Sequence, residues 1–332
     1  MRKKIGTLLL SGLVLAGAGM VRAESGYESH PLADEVVEKL AQKGFAADEV
    51  RQVLAEARRQ ESILEAISRP AERRLTWGEY RKIFVEPNRI TQGVSFWQEH
   101  EETLQRAEET YGVPAEIIVA IIGVETRYGR IMGRYRVLDA LATLGFDYPK
   151  RADFFRGQLV EFMQMTQEEG LEPTSLIGSY AGAMGYGQFI PSSFRNYAVD
   201  FDGDGKRNIW SNKVDAIGSV ANYFKAHGWK TGQPVRSNVV MNEPADPTWI
   251  NAGLQPEVTL AEWEKRGIST RRDLDHEQKA TLMQLTMADG EHYWFGLHNF
   301  YVITRYNHSH LYAMAVYELS QAIRDARESQ ER

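Results

Sequence analysis

VAIIGVETRYGR, residues 119–130, runs through an almost unbroken apolar stretch to one glutamate, Glu125, followed at once by Thr126, Arg127 and Tyr128. Pro114 suits the first turn of a helix carrying Ile117, Ile118, Ile121, Ile122 and Val124, which reads as buried. Burying an ionised carboxylate costs several kcal/mol, so such a group is paired, neutralised or kept for chemistry. Glu125 is therefore either half of a structural ion pair, with Arg127, Arg130 or a distant arginine, or a carboxyl kept protonated near neutrality by desolvation. Periodicity alone does not choose between them.

The surrounding chain has 332 residues, 43% hydrophobic and 25% charged, enough for two or three packing units. Residues 1–23 read as a secretory signal: Arg2, Lys3 and Lys4 precede a Gly-broken apolar run, and Val21-Arg22-Ala23 ends it. Its removal takes four positive charges, so the net charge goes from −6 to −10. An acidic surface gives no general reason to bind nucleic acid. Ala18 follows Leu15-Ala16-Gly17 where a lipid-bearing cysteine would stand, and the sequence contains no cysteine. We therefore expect no lipid anchor, no disulfides, and a soluble periplasmic protein, by default a monomer.

Apolar spacing predicts two short helices over 33–67, a charged one over about 95–111, others over 137–144, 152–169, 191–198 and 214–226, and a last one over 308–327. Residues 235–295 change texture and read as a small β-containing unit. The implied division is 24–110 helical, 111–234 a core, 235–295 the β unit, and 296–332 a segment returning to the helices.

Residues 179–194, SYAGAMGYGQFIPSSF, place Gly182, Gly185 and Gly187 among Tyr180, Tyr186 and Gln188. Glycines let a backbone approach something closely, and aromatic faces with amides suit a sugar chain; a tightly packed turn between helices is the alternative. The segment lacks the Lys-Ser/Thr ending of a phosphate loop. DFDGDGK, residues 200–206, matches the first half of an EF-hand loop, with Asp200, Asp202 and Asp204 at its first three ligand positions and the Lys206 carbonyl at the next. Such close carboxylates repel one another without a hard cation. Position 12 is Ser211, so Asp215, further on, would have to close the site. One unpaired loop argues for structural Ca²⁺ and not a sensor.

In order, ETRYG (125–129), the glycine-rich motif, DFDGDG and NFYVITRYN (299–307) resemble the lytic transglycosylase B family of peptidoglycan-cleaving enzymes, over essentially all of the chain after the signal. The resemblance implies a mainly α protein: a lysozyme-like core, a helical domain from both chain ends, a small β domain and a calcium loop. It matches Glu125 to the sole catalytic acid/base, Ser179 and Gln188 to nearby cleft residues, and Tyr223, Tyr306, Asn307 and Tyr312 to saccharide subsites. Tyr80 and Arg151, with Lys150 beside it, look like outer cleft contacts. Peptidoglycan strands are the implied substrate, cell-wall synthesis or division proteins the possible partners, and no organic cofactor is called for. A lysozyme-type hydrolase and a non-catalytic wall-binding protein are the rival readings. No second carboxylate stands out, although Asp139, Asp147 or Asp153 could fold nearby.

Overall fold

The computed structural model describes residues 26–68 and 75–330; the expected signal segment, 1–23, lies outside the described residues. The N-terminal helices are α1 (Ala33–Ala41), α2 (Ala47–Glu56), α3 (Glu61–Ser68), α4 (Trp77–Phe84), α5 (Pro87–Glu99) and α6 (Glu101–Tyr111). α7 (Ala115–Thr126) follows, then β1 (Tyr135–Arg136), α8 (Val137–Asp147), α9 (Ala152–Glu169), β2 (Ile177–Gly178), α10 (Pro191–Tyr197) and α11 (Lys213–Ala226). The remainder comprises β3 (Arg236–Met241), β4 (Val258–Thr259), α12 (Leu260–Lys265), β5 (Ile268–Thr270), β6 (Lys279–Met287), β7 (Gly290–Gly296), α13 (His298–Tyr306) and α14 (His310–Gln330).

The first third is more broken than its periodicity suggests. Three helices, not two, occupy 33–68, and the helix expected over 95–111 divides at His100, whose φ of −125° leaves the helical region. The His100 ring packs edge-on against Phe96, centroids 4.7 Å apart, the spacing of residues one turn apart. Local caps start the helices that periodicity misses. Thr76 and Glu79 form a capping box on α4, and Glu86 accepts from Asn88 N and Arg89 N ahead of Pro87-led α5.

Helix α7 is apolar all round and lies inside the molecule, with every residue from Ile117 to Gly123 buried. It packs against α5, α6, α11 and α14, so the C-terminal helix closes over elements from the N-terminal part. One apolar core surrounds α7; a second joins α1–α3 to α8 and α9. The glycine-rich segment lies on the seam, with Tyr186 in the first core and Met184 and Phe189 in the second. β3–β7 form an antiparallel sheet in the order β4-β6-β7-β3-β5, covered by a small core that includes Trp263 of α12.

The three aspartates held open as second carboxylates are tied into the framework. Asp139 is buried, its Oδ1 accepting from Arg58 N at 2.9 Å and Arg136 Nη2 at 2.6 Å, its Oδ2 from Arg136 Nε at 2.9 Å. Asp147 accepts from the Tyr27 hydroxyl at 2.5 Å, and Asp153 pairs with Arg156. Asp139→Ala would strand the Arg136 charge and the Arg58 amide, so we expect a loss of about 3 kcal/mol in urea unfolding.

Candidate active site at the end of helix α7

Helix α7 stops because Arg127 and Tyr128 both take left-handed backbone angles, φ 50° and 60°. Tyr128 N bonds back to Ile122 O at 3.3 Å, the wide closing bond of a Schellman-type stop. Side chains hold the turn. Thr126 Oγ1 lies 3.0 Å from the carbonyls of Ile122 and Tyr186 and accepts from Gly129 N at 3.0 Å. Tyr128 donates to Arg89 O at 2.9 Å, while Arg89 Nη1 donates to Gly123 O at 3.2 Å. The Tyr128 ring fills the space over Gly123, where a Cβ would come within 2.6 Å of it. Gly129 is equally bound to its place: a Cβ there would lie 2.1 Å from the Tyr186 ring.

Glu125, next to last in this helix, is half-buried and keeps a window on solvent. Burial raises its pKa to about 7, against the lowering effect of the Tyr312 hydroxyl, which donates to Oε1 at 2.5 Å. Its charge in turn adds to burial in raising the pKa of Tyr80, Tyr306 and Tyr312. Tyr312 thus touches the carboxyl, Tyr80 and Tyr306 lie near enough to feel its charge, and among the described residues no cation lies against it. Arg127 reaches Glu86 instead, at 3.6 Å. The ion-pair alternative does not describe this group.

The other expected site residues divide by what their polar atoms already do. Ser179 Oγ accepts from Ala183 N at 3.0 Å and Ala181 N at 3.3 Å, and so shapes the glycine-rich turn. Gln188, in a left-handed conformation, donates through Nε2 to Gly185 O at 3.0 Å and Met132 O at 3.3 Å. Its amide oxygen has no partner among the described residues. Tyr306 donates to Gly187 O at 2.6 Å and Tyr223 to Arg305 O at 2.7 Å, their rings 4.6 Å apart. Tyr223 is buried and stacked on His227, a wall behind Tyr306 and not an open hydroxyl. Asn307 is exposed at the end of α13. Lys150 and Arg151 are exposed ahead of α9, where the Arg151 guanidinium covers Phe154 at 4.2 Å; no contact joins either to the Glu125 group. Thr126 and Arg89, which hold the turn, were not singled out from sequence, although Thr126 sits inside the ETRYG motif.

In the acidic loop, carboxylate oxygens of Asp200, Asp202 and Asp204 lie within 4.8 Å of one another. Asp200 accepts from the amides of Gly203, Asp204 and Gly205, which wraps the loop around it. Hard oxygen donors gathered at the surface fit a calcium ion. Asp215 stands apart from this trio. Buried at the start of α11, it accepts from Phe201 N at 2.7 Å and Asn208 N at 2.8 Å, so it braces both arms of the loop. Burial, with the charges of Asp202 and Asp200 adding to it, raises the Asp215 pKa against those two amides. Asn212, missed from sequence, donates to Asp202 Oδ2 at 2.8 Å and caps α11.

A carboxyl raised on folding stabilises the protein below its unfolded pKa, and that contribution is lost as pH rises towards about 7. The full shift corresponds to about 3 kcal/mol, and the solvent window discounts it to about 2. Glu125→Gln should therefore be more stable than wild type by that amount at pH 8 and nearly equal at pH 4, read from denaturant curves. Tyr312→Phe removes the lowering hydrogen bond, so the Glu125 carboxyl signal in a ¹³C titration should move above its wild-type midpoint.

Known proteins resemble this chain over most of its length. The family model described as the transglycosylase SLT domain matches residues 28–321. The membrane-bound lytic murein transglycosylase B of Escherichia coli K12 is 46% identical over 311 residues, 91% of this chain and 85% of that protein. The structure of lytic transglycosylase SltB1 from Pseudomonas aeruginosa superposes with a TM-score of 0.88 at 55% identity, covering 91% of this chain and 99% of that one. The E. coli lytic transglycosylase Slt35 in complex with calcium gives a TM-score of 0.82 at 46% identity, covering 91% and 95%. With a helix-end glutamate set in a lysozyme-like fold and a family model spanning most of its length, this chain belongs to the SLT-domain transglycosylase family.

Proposed function

We propose that the protein is a periplasmic lytic transglycosylase that cleaves the β-1,4 bond between N-acetylmuramic acid and N-acetylglucosamine in peptidoglycan and leaves a 1,6-anhydromuramyl end. The observation that carries this reading is the solitary carboxyl: Glu125, poised at about 7 among tyrosines, with Asp139, Asp147 and Asp153 spent elsewhere. Near neutrality it is available in both protonation states. With Tyr312 donating to Oε1, the proton of the neutral acid resides on Oε2.

In the forward step Oε2 protonates the glycosidic oxygen as the bond to C1 breaks. The carboxylate so formed takes the proton of the muramyl C6 hydroxyl, whose oxygen closes on C1; no water is consumed and Glu125 ends protonated. The substrate's own N-acetyl oxygen can hold C1 between the two steps, which removes the need for a protein nucleophile. Tyr312 keeps the carboxyl in register during the exchange, and Tyr80, Tyr306 and the Gln188 amide oxygen offer faces and an acceptor to the sugars. Family membership weighs against plain hydrolysis, and an intact, tuned Glu125 weighs against a merely wall-binding protein.

Mass spectrometry of fragments from purified peptidoglycan tests this directly. We expect muropeptides one water lighter than reducing-end products; reducing ends alone would establish hydrolysis instead. Glu125→Gln should lower turnover by about 10³-fold, within the usual range for a general acid/base. Turnover near wild type would sink the single-acid mechanism. The wild-type rate should fall as pH rises through about 7, as the acid form is lost.

For the acidic loop we infer a structural Ca²⁺ held by Asp200, Asp202, Asp204 and the Lys206 carbonyl, with Asp215 supporting the site from below. No step of the cleavage needs a metal. Chelation should lower the melting temperature by about 5–10 °C and added Ca²⁺ should restore it. In Asp202→Asn the chelator's effect should largely vanish; an unchanged melting temperature in the wild type after verified metal removal would end the assignment.

A further inference from the structure

The five-stranded sheet carries an aromatic–guanidinium stack that the proposed chemistry does not use. Trp249 ends a short 3₁₀ turn, Pro247–Trp249, which Asp246 caps by accepting from Thr248 N at 2.8 Å and Thr248 Oγ1 at 2.7 Å. Two residues on, Asn251 pins the chain to β6. Its Nδ2 donates to Gln284 O at 2.9 Å, its Oδ1 accepts from Gln284 N at 3.1 Å, and its backbone N–H bonds Leu282 O at 2.9 Å. Trp249 is thus fixed from both sides. It meets Trp263 edge-on, centroids 6.0 Å apart, and the Arg266 guanidinium lies 5.0 Å from the centre of each ring.

Trp249 and Arg266 line two cavities, of about 730 Å³ and about 280 Å³. The larger is within the usual range for small-molecule sites, about 300–1,000 Å³. Asn242, Glu243 and Asp246 are its further polar lining, beside apolar Pro244, Pro247 and Ile268, while Gln255 and Glu257 line the smaller one. The Trp263 indole N–H is spent on Ala280 O at 3.2 Å. That of half-buried Trp249 has no partner among the described residues and is not enclosed.

An indole face beside amide, carboxylate and guanidinium groups matches a pyranose, whose C–H face packs on the ring while its hydroxyl and N-acetyl groups take the planar polar partners. Two acids against one arginine in the larger cavity disfavour a polyanion, and the polar rim disfavours an apolar peptide. We propose that the sheet bears a second saccharide-binding site, centred on Trp249 and Arg266, that takes a neutral β-1,4-linked N-acetylhexosamine segment. Its ligand class rests on the glycan reading above, but it uses none of the Glu125 chemistry. Gly253, which lines the smaller cavity, accepts from Thr281 Oγ1 at 2.9 Å and lies 3.2 Å from His310 Nε2. His310 begins the helix that carries Tyr312, so the second site is braced against the element that touches Glu125. A polymer held at both places stays on the enzyme between cleavages, because the second contact is made at high effective concentration.

The test uses ¹⁵N-labelled Glu125→Gln protein, which leaves glycan intact, titrated with the β-1,4 tetramer of N-acetylglucosamine. The Trp249 indole signal, assigned by its disappearance in Trp249→Phe, should shift on titration; an unmoved signal at saturating tetramer overturns the proposal. In sedimentation with purified sacculi, Trp249→Ala should bind about tenfold more weakly than its Glu125→Gln parent, the loss that goes with truncating an aromatic anchor. Trp249→Phe should keep most of the affinity. Unchanged sedimentation of a folded Trp249→Ala protein also overturns it. The two readings fail separately: no fragments from sacculi with a shifting indole refutes the lyase and supports the site, whereas cleavage with a still indole does the reverse.

Discussion

Two consecutive residues with full side chains, Arg127 and Tyr128, hold φ of 50° and 60°. The left-handed region costs each of them roughly 1–2 kcal/mol, and such angles persist only where neighbouring contacts over-determine them. Here the contacts come from three separate parts of the chain: Arg89 on α5, Gly123 and Thr126 of α7, and Tyr186 of the glycine-rich segment. The consequence is where the helix ends. Glu125 becomes its penultimate residue, so the negative pole of the helix adds to desolvation in disfavouring the carboxylate. One more turn of regular helix would move that pole away from the carboxyl.

The surroundings of Glu125 avoid positive charge although arginines are close in sequence. A guanidinium against the carboxyl would lower its pKa and leave it ionised at neutral pH, useless as an acid. Arg127 is turned to Glu86, and Arg89 gives its Nη1 to a backbone carbonyl and stacks on Phe84. Tyrosines take their place. A phenol donates a hydrogen bond without carrying charge, so Tyr312 orients Oε1 and lowers the pKa only part of the way back. In the proposed reaction the same groups would also offer flat faces to a sugar.

The parts legible in sequence were those encoded locally. An all-apolar helix ending in a glutamate, spaced carboxylates with a turn glycine, and a β-rich texture after 235 each declare themselves within about a dozen residues. Part of what was hidden depends on partners far along the chain. That Tyr306 and Tyr223 spend their hydroxyls on Gly187 and Arg305 carbonyls requires contacts across 119 and 82 residues. Nearer at hand, the amides of Ala181 and Ala183 donate to Ser179 Oγ, a turn-shaping role that the motif does not declare. The division at His100 has no breaker residue in the sequence to announce it. Counting along the acidic loop gave Asp215 the role of closing ligand, whereas folding gives each of its oxygens a backbone amide first.

Those amides connect the two motifs that looked independent in sequence. Asp215 holds Asn208 N, and the next residue, Ile209, is buried and accepts from Tyr186 N at 3.0 Å. Gly185 passes so near that carbonyl that a Cβ would come within 2.4 Å of it. Tyr186 O in turn meets Thr126 Oγ1, and the neighbouring Gly187 O receives the Tyr306 hydroxyl. A continuous series of hydrogen bonds therefore runs from the carboxylate loop to the turn that ends α7. In a chain without cysteine, no covalent tie can hold this seam between the two cores. The hydrogen bonds do it instead: with Ile209 fixed, the glycine-rich segment keeps its close approach and Thr126 keeps its acceptor at the end of the helix that carries Glu125.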